Sequence, residues 1–306
     1  MHLQFSTWIL ERFGEIMKVL ILGKIQRGYE ELKLIKEGKK IFDSVSYIPT
    51  PHISVNIDGD KFSVTYREKD LSGFDCIVPR IPRTYRTFGF SILSLLKESV
   101  YIPIEPISLF NCHNKFLTLL ILDKDGVFIP KTFLTNKRKS AEDVLDEMKY
   151  PIVMKLLYGS LGKGVIFADS KHSALSMMDT LERFNQPLFI EEYIKNPNED
   201  IRAYVVGDDV VASMKRVAKK DEKRANIGIG GSGMKFDIPH DHRNISIRAA
   251  KKLQMGICGV DLVEGPEGPV VIEANASAQF KELDRITKKN VGRKIMKYVE
   301  EKASEF

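Results

Sequence analysis

Cysteine is scarce in this chain, with three in 306 residues, Cys76, Cys112 and Cys258, scattered and mostly inside apolar runs. That number and spacing exclude a disulfide framework and a thiolate zinc site, and leave buried thiols. Histidine offers no alternative, since His52, His113, His240 and His242 show no ligand spacing. Long hydrophobic runs are missing too: no stretch approaches a membrane span, and the first sixteen residues carry Glu11 and Glu15 in a mixed stretch without a signal-peptide pattern. A soluble, cytoplasmic protein with no membrane partner is expected. Repeats and low-complexity tracts are absent, and no charge of one sign dominates. The 47 Lys and Arg against 41 Asp and Glu leave a net +6 that is interleaved along the chain. Such interleaving reads as solvated surface, so no specific nucleic acid is expected, although an anionic ligand would be welcome. What remains is a chain 43% hydrophobic, long enough to bury a substantial core in more than one lobe.

The most informative stretch lies near the C-terminal end. Gly259-Val260-Asp261-Leu262 and Val271-Ile272-Glu273-Ala274-Asn275 are short β-branched runs joined by Gly265-Pro266-Glu267-Gly268, which predicts a hairpin bringing Asp261 beside Glu273 and Asn275. The two-residue repeat of a strand points Glu273 and Asn275 to one face. Two carboxylates and an amide oxygen make a hard site suited to magnesium shared with a substrate phosphate. Asp and Glu at strand ends also serve as capping or solvated residues, so the upstream segments carry weight.

Pro151 to Leu156 reads as a buried strand carrying Lys155 and runs into Gly159-Ser160-Leu161-Gly162-Lys163-Gly164 before a second strand, Val165 to Ala168. Three glycines in six residues let backbone amides approach an anion closely. The spacing is not that of a P-loop and no helix follows; a flexible hairpin tip would read the same way. Leu188 to Ile194 is an apolar strand ending in Glu191, Glu192 and Tyr193, followed by Asp200-Ile201-Arg202 in an alternating strand. Carboxylates there could accept from ribose hydroxyls or an exocyclic amine, and Arg202 could face a phosphate; sheet-edge chemistry is the alternative. Lys215-Arg216 and Arg224-Ala225-Asn226 add donors able to stabilise charge on phosphoryl oxygens.

The order of these segments resembles the ATP-grasp ligases, most closely the RimK-type carboxylate–amine ligases, from about Met17 to the C-terminus. Lysine strand, Gly-rich loop, E-E-Y-I, D-I-R, R-A-N, V-D-L and E-A-N carry it together, with Pro79-Arg80-Ile81 and a lysine, Lys115, opening the central part. The resemblance implies an α/β fold (α+β lobes), the ATP-grasp fold behind an N-terminal open α/β lobe. It also implies that Lys115 and Lys155 contact the nucleotide phosphates and that the loop with Gly159, Ser160, Gly162 and Gly164 closes over them. Glu192 and Tyr193 would sit at the adenine, Asp200 near the ribose, and Arg224, Ala225 and Asn226 at the γ-phosphate. Asp261, Glu273 and Asn275 would hold two magnesium (or manganese) ions, with Glu273 bridging. The implied chemistry is ATP-dependent formation of an acyl phosphate and its attack by an amine, with Arg202, Arg224 and Asn226 as the catalytic group.

Related enzymes of this kind add glutamate to a ribosomal protein tail, a deazaflavin coenzyme, a methanopterin or an amino-group carrier protein. The expected reaction is therefore addition of L-glutamate to an anionic small molecule or acidic peptide tail, including a carrier protein. Transfer of a different amine, or a nucleotide-binding regulatory module without turnover, are the alternatives. Family members commonly read N-x-S-P-G after the metal Asn, whereas this chain has Asn275-Ala276-Ser277-Ala278-Gln279, a change in backbone freedom beside the site. Arg80, Arg83 and Arg86 form a basic cluster for a substrate carboxylate or phosphate, with solvated surface as the competing reading, chiefly for Arg83 and Arg86.

The expected organisation is an extension or misassigned start at 1–16, with Met17 as the alternative start. An N-terminal lobe at 17–112, a central lobe at 113–187 and a C-terminal lobe with the metal site at 188–306 follow. Helices are predicted over Tyr29–Gly38, Asn114–Leu122, Ala141–Met148, Ser173–Phe184, Arg243–Leu253 and Asn290–Glu300, and a hairpin at Asp58-Gly59. The resemblance leaves room for a homo-oligomer.

Overall fold

The computed structural model of the chain describes residues 16–159, 164–196, 198–219, 225 and 230–306. The chain divides into two compact units, Met1–Pro103 with Gly292–Phe306, and Ile104–Val291.

The first unit is built on a parallel sheet of β1 (Lys18–Gly23), β2 (Ser44–Pro49) and, after a separate hairpin sheet of β3 (Ser54–Asp58), β4 (Lys61–Tyr66) and β5 (Lys69–Asp70), β6 (Cys76–Pro79). Strand order is β2-β1-β6, with β1 parallel to both neighbours. The run Val19 to Leu22 has no exposed residue, as expected of a parallel strand covered on both faces. The predicted helix Tyr29–Gly38 is present and crosses from β1 to β2. The predicted hairpin turns at Gly59, whose φ of +62° only glycine adopts without strain. The last helix, Val291–Glu305, longer than expected, packs on this unit. A Cβ on Gly38 would lie 2.9 Å from Met296 Cε, so the glycine permits the close approach.

The second unit carries two antiparallel sheets. The first is ordered β7-β10-β8-β9, from β7 (Thr132–Thr135), β8 (Ile152–Lys155), β9 (Val165–Ala168) and β10 (Leu188–Glu192). Helices Arg138–Glu147 and Lys171–Arg183 bury Ala141, Leu145, Ala174 and Met178 against Ile152, Met154 and Ile190. Because β10 pairs with both β7 and β8, the boundary drawn after residue 187 would cut this sheet. The second sheet is ordered β13-β12-β11-β14-β15, from β11 (Glu199–Val206), β12 (Asp209–Val217), β13 (Ser232–Lys235), β14 (Ile257–Gly265) and β15 (Gly268–Asn275). Helix His240–Lys252 packs on it. Helix Lys115–Asp123 starts one residue later than expected because Asn114 is its cap, its side-chain oxygen accepting from Leu117 N at 3.0 Å. Among the described residues no helix is long and apolar enough to cross a membrane.

Candidate active site

The predicted hairpin is β14–β15, with Asp261 opposite Glu273 and Gly259 opposite Asn275. Register shifts just after Asp261, because Leu262 pairs with Val271 and Ile272 is the extra residue. This bulge lets Ile272 and Glu273 both line the cleft, the re-aiming of side chains that bulges near active sites provide. Continuing across the sheet, Arg202 pairs with Asp261 and, two residues along, Asp200 pairs with Arg216. Two acids and two arginines therefore alternate on one face.

Their side chains close into a network. Arg202 grips Asp261 through Nε and through Nη2, the latter 2.7 Å from Oδ2. Arg216 donates from Nε to Asp200, and its Nη2 stands 3.1 Å from Asp261 Oδ2. Burial would raise the Asp261 carboxyl, but Arg202 and Arg216 outweigh it and hold the group below the usual carboxylate range. Asp200 goes the other way, pushed up chiefly by burial, with the Asp261 charge assisting against the pull of Arg216. Burial pulls Arg216 down, and the two carboxylates more than reverse it. Asp261 is thus ionised at neutral pH. Glu273 is paired with the amine of Lys115, 3.0 Å away, on the first turn of its helix.

The four-stranded sheet supplies the other wall. Lys155 Nζ lies 2.5 Å from Glu191 Oε2, the carboxylate buried and the lysine half-buried. Glu191 Oε1 has no hydrogen-bond partner, a buried acceptor aimed at a cleft that Glu191 lines. Glu192 is held by the backbone, its Oε1 accepting from Lys131 N at 2.8 Å. Tyr193 sets its ring edge-on to Phe167 and donates from its hydroxyl to Asn198 Oδ1 at 3.2 Å. Gly164 closes the predicted loop at φ +78°, its carbonyl accepting from Leu156 N at 2.8 Å.

These groups line one cleft of about 860 Å³, counted with its open mouth, in the size range of small-molecule sites. Lys115, Lys155, Glu192, Tyr193, Asp200, Ala225, Asp261 and Glu273, all expected from the sequence, come together there. Asn275 and Arg202 lie on the same sheet without lining the cleft, and Gly159 stands at the loop's start. Ser160, Gly162, Arg224 and Asn226 fall outside the described residues. Arg80, Arg83 and Arg86 belong to the first unit: Arg80 is buried at the end of β6, Arg83 exposed and Arg86 half-buried at the start of helix Arg86–Leu96. Two cleft residues had no specific role in the sequence reading. Glu191 loses to its neighbour Glu192 until the strand parity with Lys155 is considered, and Arg216 reads as one donor among several.

Among the described residues no three His, Cys, Asp or Glu side chains gather as a metal cluster. Of the three residues expected to hold a metal, Asp261 and Glu273 line the cleft and Asn275 lies two residues along β15; two carboxylates there fit an ion that takes its remaining ligands from phosphate and water. The orphaned Glu191 oxygen beside a lysine fits a ligand carrying both a donor and an anion.

Residues 17–105 match the model of the RimK PreATP-grasp domain and residues 112–299 that of the RimK-like ATP-grasp domain. A probable alpha-L-glutamate ligase of Stutzerimonas stutzeri is 32% identical over 290 residues, covering 93% of this chain and 95% of that protein. One of Methanococcoides burtonii is 31% identical over 287 residues, with the same coverage of each. Among solved structures, the ATP-grasp ligase PsnB with a precursor variant, Mg and ADP superposes with a TM-score of 0.75 at 15% identity, over 94% of this chain and 100% of that one. The D-alanine–D-alanine ligase of Bacillus anthracis with ATP gives 0.66 at 17%, over 95% and 98%. At such identities these structures speak for the fold alone. With both family models matched in order along nearly the whole of its length, the chain belongs to the RimK-like ATP-grasp ligases.

Proposed function

We infer that the protein is an ATP- and magnesium-dependent carboxylate–amine ligase that adds L-glutamate to an acidic acceptor through an acyl phosphate. The observation that carries the reading is the convergence, in one cleft, of two lysines, Lys115 buried and Lys155 half-buried, with the E-E-Y segment and the Asp261–Glu273 pair. Names of the curated relatives, probable alpha-L-glutamate ligases, support glutamate as the amine.

In this reading Lys155 and Lys115 bind the nucleotide phosphates and Glu191 accepts a hydrogen bond from the base or ribose. Tyr193 packs at the base, and Asp200 turns toward the sugar. Asp261, Glu273 and Asn275 would hold the magnesium, two ions in this reading, which would supply charge neutralisation at the transferring phosphoryl group. Arg202 keeps Asp261 ionised and aimed. Gly159, Ser160, Gly162 and Gly164 serve as the loop that covers the phosphates and keeps water from the acyl phosphate. Arg224, Ala225 and Asn226 face the γ-phosphate, while Arg80, with Arg83 and Arg86, takes a substrate carboxylate. No side-chain nucleophile is needed.

The test is ADP formation by the full chain with glutamate and a panel of pterin, deazaflavin and carrier-peptide acids, followed by mass spectrometry for a gain of glutamate. Glu273→Ala is expected to retain nucleotide binding and lose amide formation. Glutamate-independent ADP release with every acceptor, or full turnover by Glu273→Ala, would overturn the reading.

A further inference from the structure

In the parallel sheet of the first unit, order β2-β1-β6, the chain leaves β1 toward helix Tyr29–Gly38 and β2, and leaves β6 on the other side toward helix Arg86–Leu96. Such a reversal next to a central strand opens a crevice at the carboxyl ends of the strands, where open α/β sheets take ligands. The residues that the sequence places there are basic. Lys24 and Arg27 follow β1 and Arg80 follows β6, where its N–H donates to Leu22 O at 2.7 Å.

Tyr47, near the end of β2, organises them. Its hydroxyl donates to Lys24 O at 2.6 Å, and Arg27 lies over its ring, 5.6 Å from the centroid. Gly23 makes this possible, because a Cβ there would stand 2.3 Å from the Tyr47 hydroxyl oxygen. The phenol is pushed up to about 12 by burial and by Glu31, with Arg27 and Arg80 pulling it down.

Acidic groups nearby are differently placed. Glu30 and Glu31 are buried in the first turn of helix Tyr29–Gly38, whereas Lys24 and Arg27 are exposed. Glu31 Oε2 accepts from Gly28 N at 2.6 Å and lies 3.8 Å from Lys24 Nζ, so the helix is capped by its own carboxylate. That cap occupies the amide a phosphate would seek at a helix N-terminus. What remains open to solvent is the Lys24 ammonium and the forked Arg27 guanidinium, the latter over the Tyr47 ring, a setting that suits flat carboxylates.

We propose that Lys24, Arg27, Tyr47 and Arg80 form a binding site in the first unit for a polycarboxylate, the acidic end of the acceptor. It rests on the ligase reading only for the statement that this acid is a substrate; the binding is a property of the first unit.

The experiment is calorimetry on the full chain without nucleotide, using L-glutamyl-L-glutamate, its amidated uncharged analogue, and inorganic phosphate as probes. The dipeptide is expected to bind, the uncharged analogue and phosphate at least about tenfold more weakly, as loss of one charge-assisted pair implies. Arg27→Ala and Arg80→Lys should each weaken the dipeptide by a similar factor, while Lys61→Ala, on the exposed hairpin of the same unit, should bind as wild type. Tyr47→Phe keeps the ring under Arg27 but frees the Lys24 carbonyl, and is expected to weaken binding by a smaller factor with the far-UV spectrum unchanged. Absence of dipeptide binding, equal affinity for phosphate, or wild-type affinity in both arginine variants overturns the site. A protein that binds the dipeptide yet forms no ADP with any acid overturns the ligase reading alone, and one that forms the amide but binds no dipeptide at this site overturns the inference alone.

Discussion

Replacing Arg216 by methionine removes the one cation that, among the described residues, touches both buried acids of the five-stranded sheet. Its guanidinium donates to Asp200 and lies 3.1 Å from Asp261 Oδ2, and Arg216, Asp200 and Asp261 are 5%, 8% and 2% exposed. At an effective dielectric of about 20, one unit pair at that separation is worth about 5 kcal/mol gross. Most of that repays desolvation, and removal of one partner from a buried ion pair costs about 3–5 kcal/mol net because the remaining charge has no compensation. Asp261 keeps Arg202, so the penalty falls mainly on Asp200. For an unfolding unit the size of Ile104–Val291, about 2–4 °C per kcal/mol translates this into a fall in Tm of roughly 6–20 °C. Calorimetric or circular-dichroism melts measure it. Adding Asp200→Asn should recover part of the loss, because the uncompensated charge is then gone. The pH dependence has a definite sign. The Asp261 carboxyl is depressed in the folded state, so its contribution is present above the ordinary unfolded value of about 3.9 and is lost as pH falls through the folded one. Asp200 is raised and acts in the opposite direction, its burden felt as pH rises through its folded value. The gap between wild type and Arg216→Met should therefore be widest near neutrality and narrow below about pH 4. A fall in Tm under about 2 °C, or a gap that widens in acid, refutes the reasoning.

Three further outcomes follow from the same packing. Lys155→Met should weaken a non-hydrolysable ATP analogue by at least about tenfold in calorimetry, since it removes the cation proposed for the phosphates and strands Glu191 beside it; unchanged affinity would sink that assignment. Gly259→Ala puts a Cβ 2.4 Å from the Ala278 Cβ and 3.4 Å from Arg202 Nη1, and should cost about 1–3 kcal/mol of stability in denaturant titrations, with Ala278→Gly restoring part of it. The thiols of Cys76 and Cys258, buried and pushed up by that burial, Cys258 to about 12, should react with Ellman's reagent at pH 8 only after unfolding; immediate reaction of both in the native protein would contradict the core described for them.

Local pattern made some of this legible and could not reach the rest. The helix Tyr29–Gly38 and the β14–β15 hairpin announce themselves because each is bounded by glycine or a Gly-Pro turn and carries its own period. Strand β12 escaped: its mostly apolar run, Val210 to Met214, ends in Lys215 and Arg216, and the two adjacent cations read alike as donors for phosphoryl oxygens. Their burial differs. Lys215 pairs with Glu199 at the half-exposed rim, whereas Arg216, on the alternate face, is buried against Asp200 and Asp261. The same parity separates Glu191, buried on Lys155, from Glu192, held by Lys131 N at the edge. In each pair the residue type was sufficient to mark a charged position, and the choice between neighbours was made by strand register set over a long sequence separation, 59 residues in the case of Arg202 and Asp261. The segment after Asn275 shows the converse. Ala278, where family members commonly carry proline, is buried with its Cβ against Gly259 on β14, so the substitution acts through the strand that positions Asp261 as well as through loop freedom. A proline ring there would need the space now filled by that contact, and the pairing of Gly259 with Ala278 is thus a single packing solution distributed over two segments of the site.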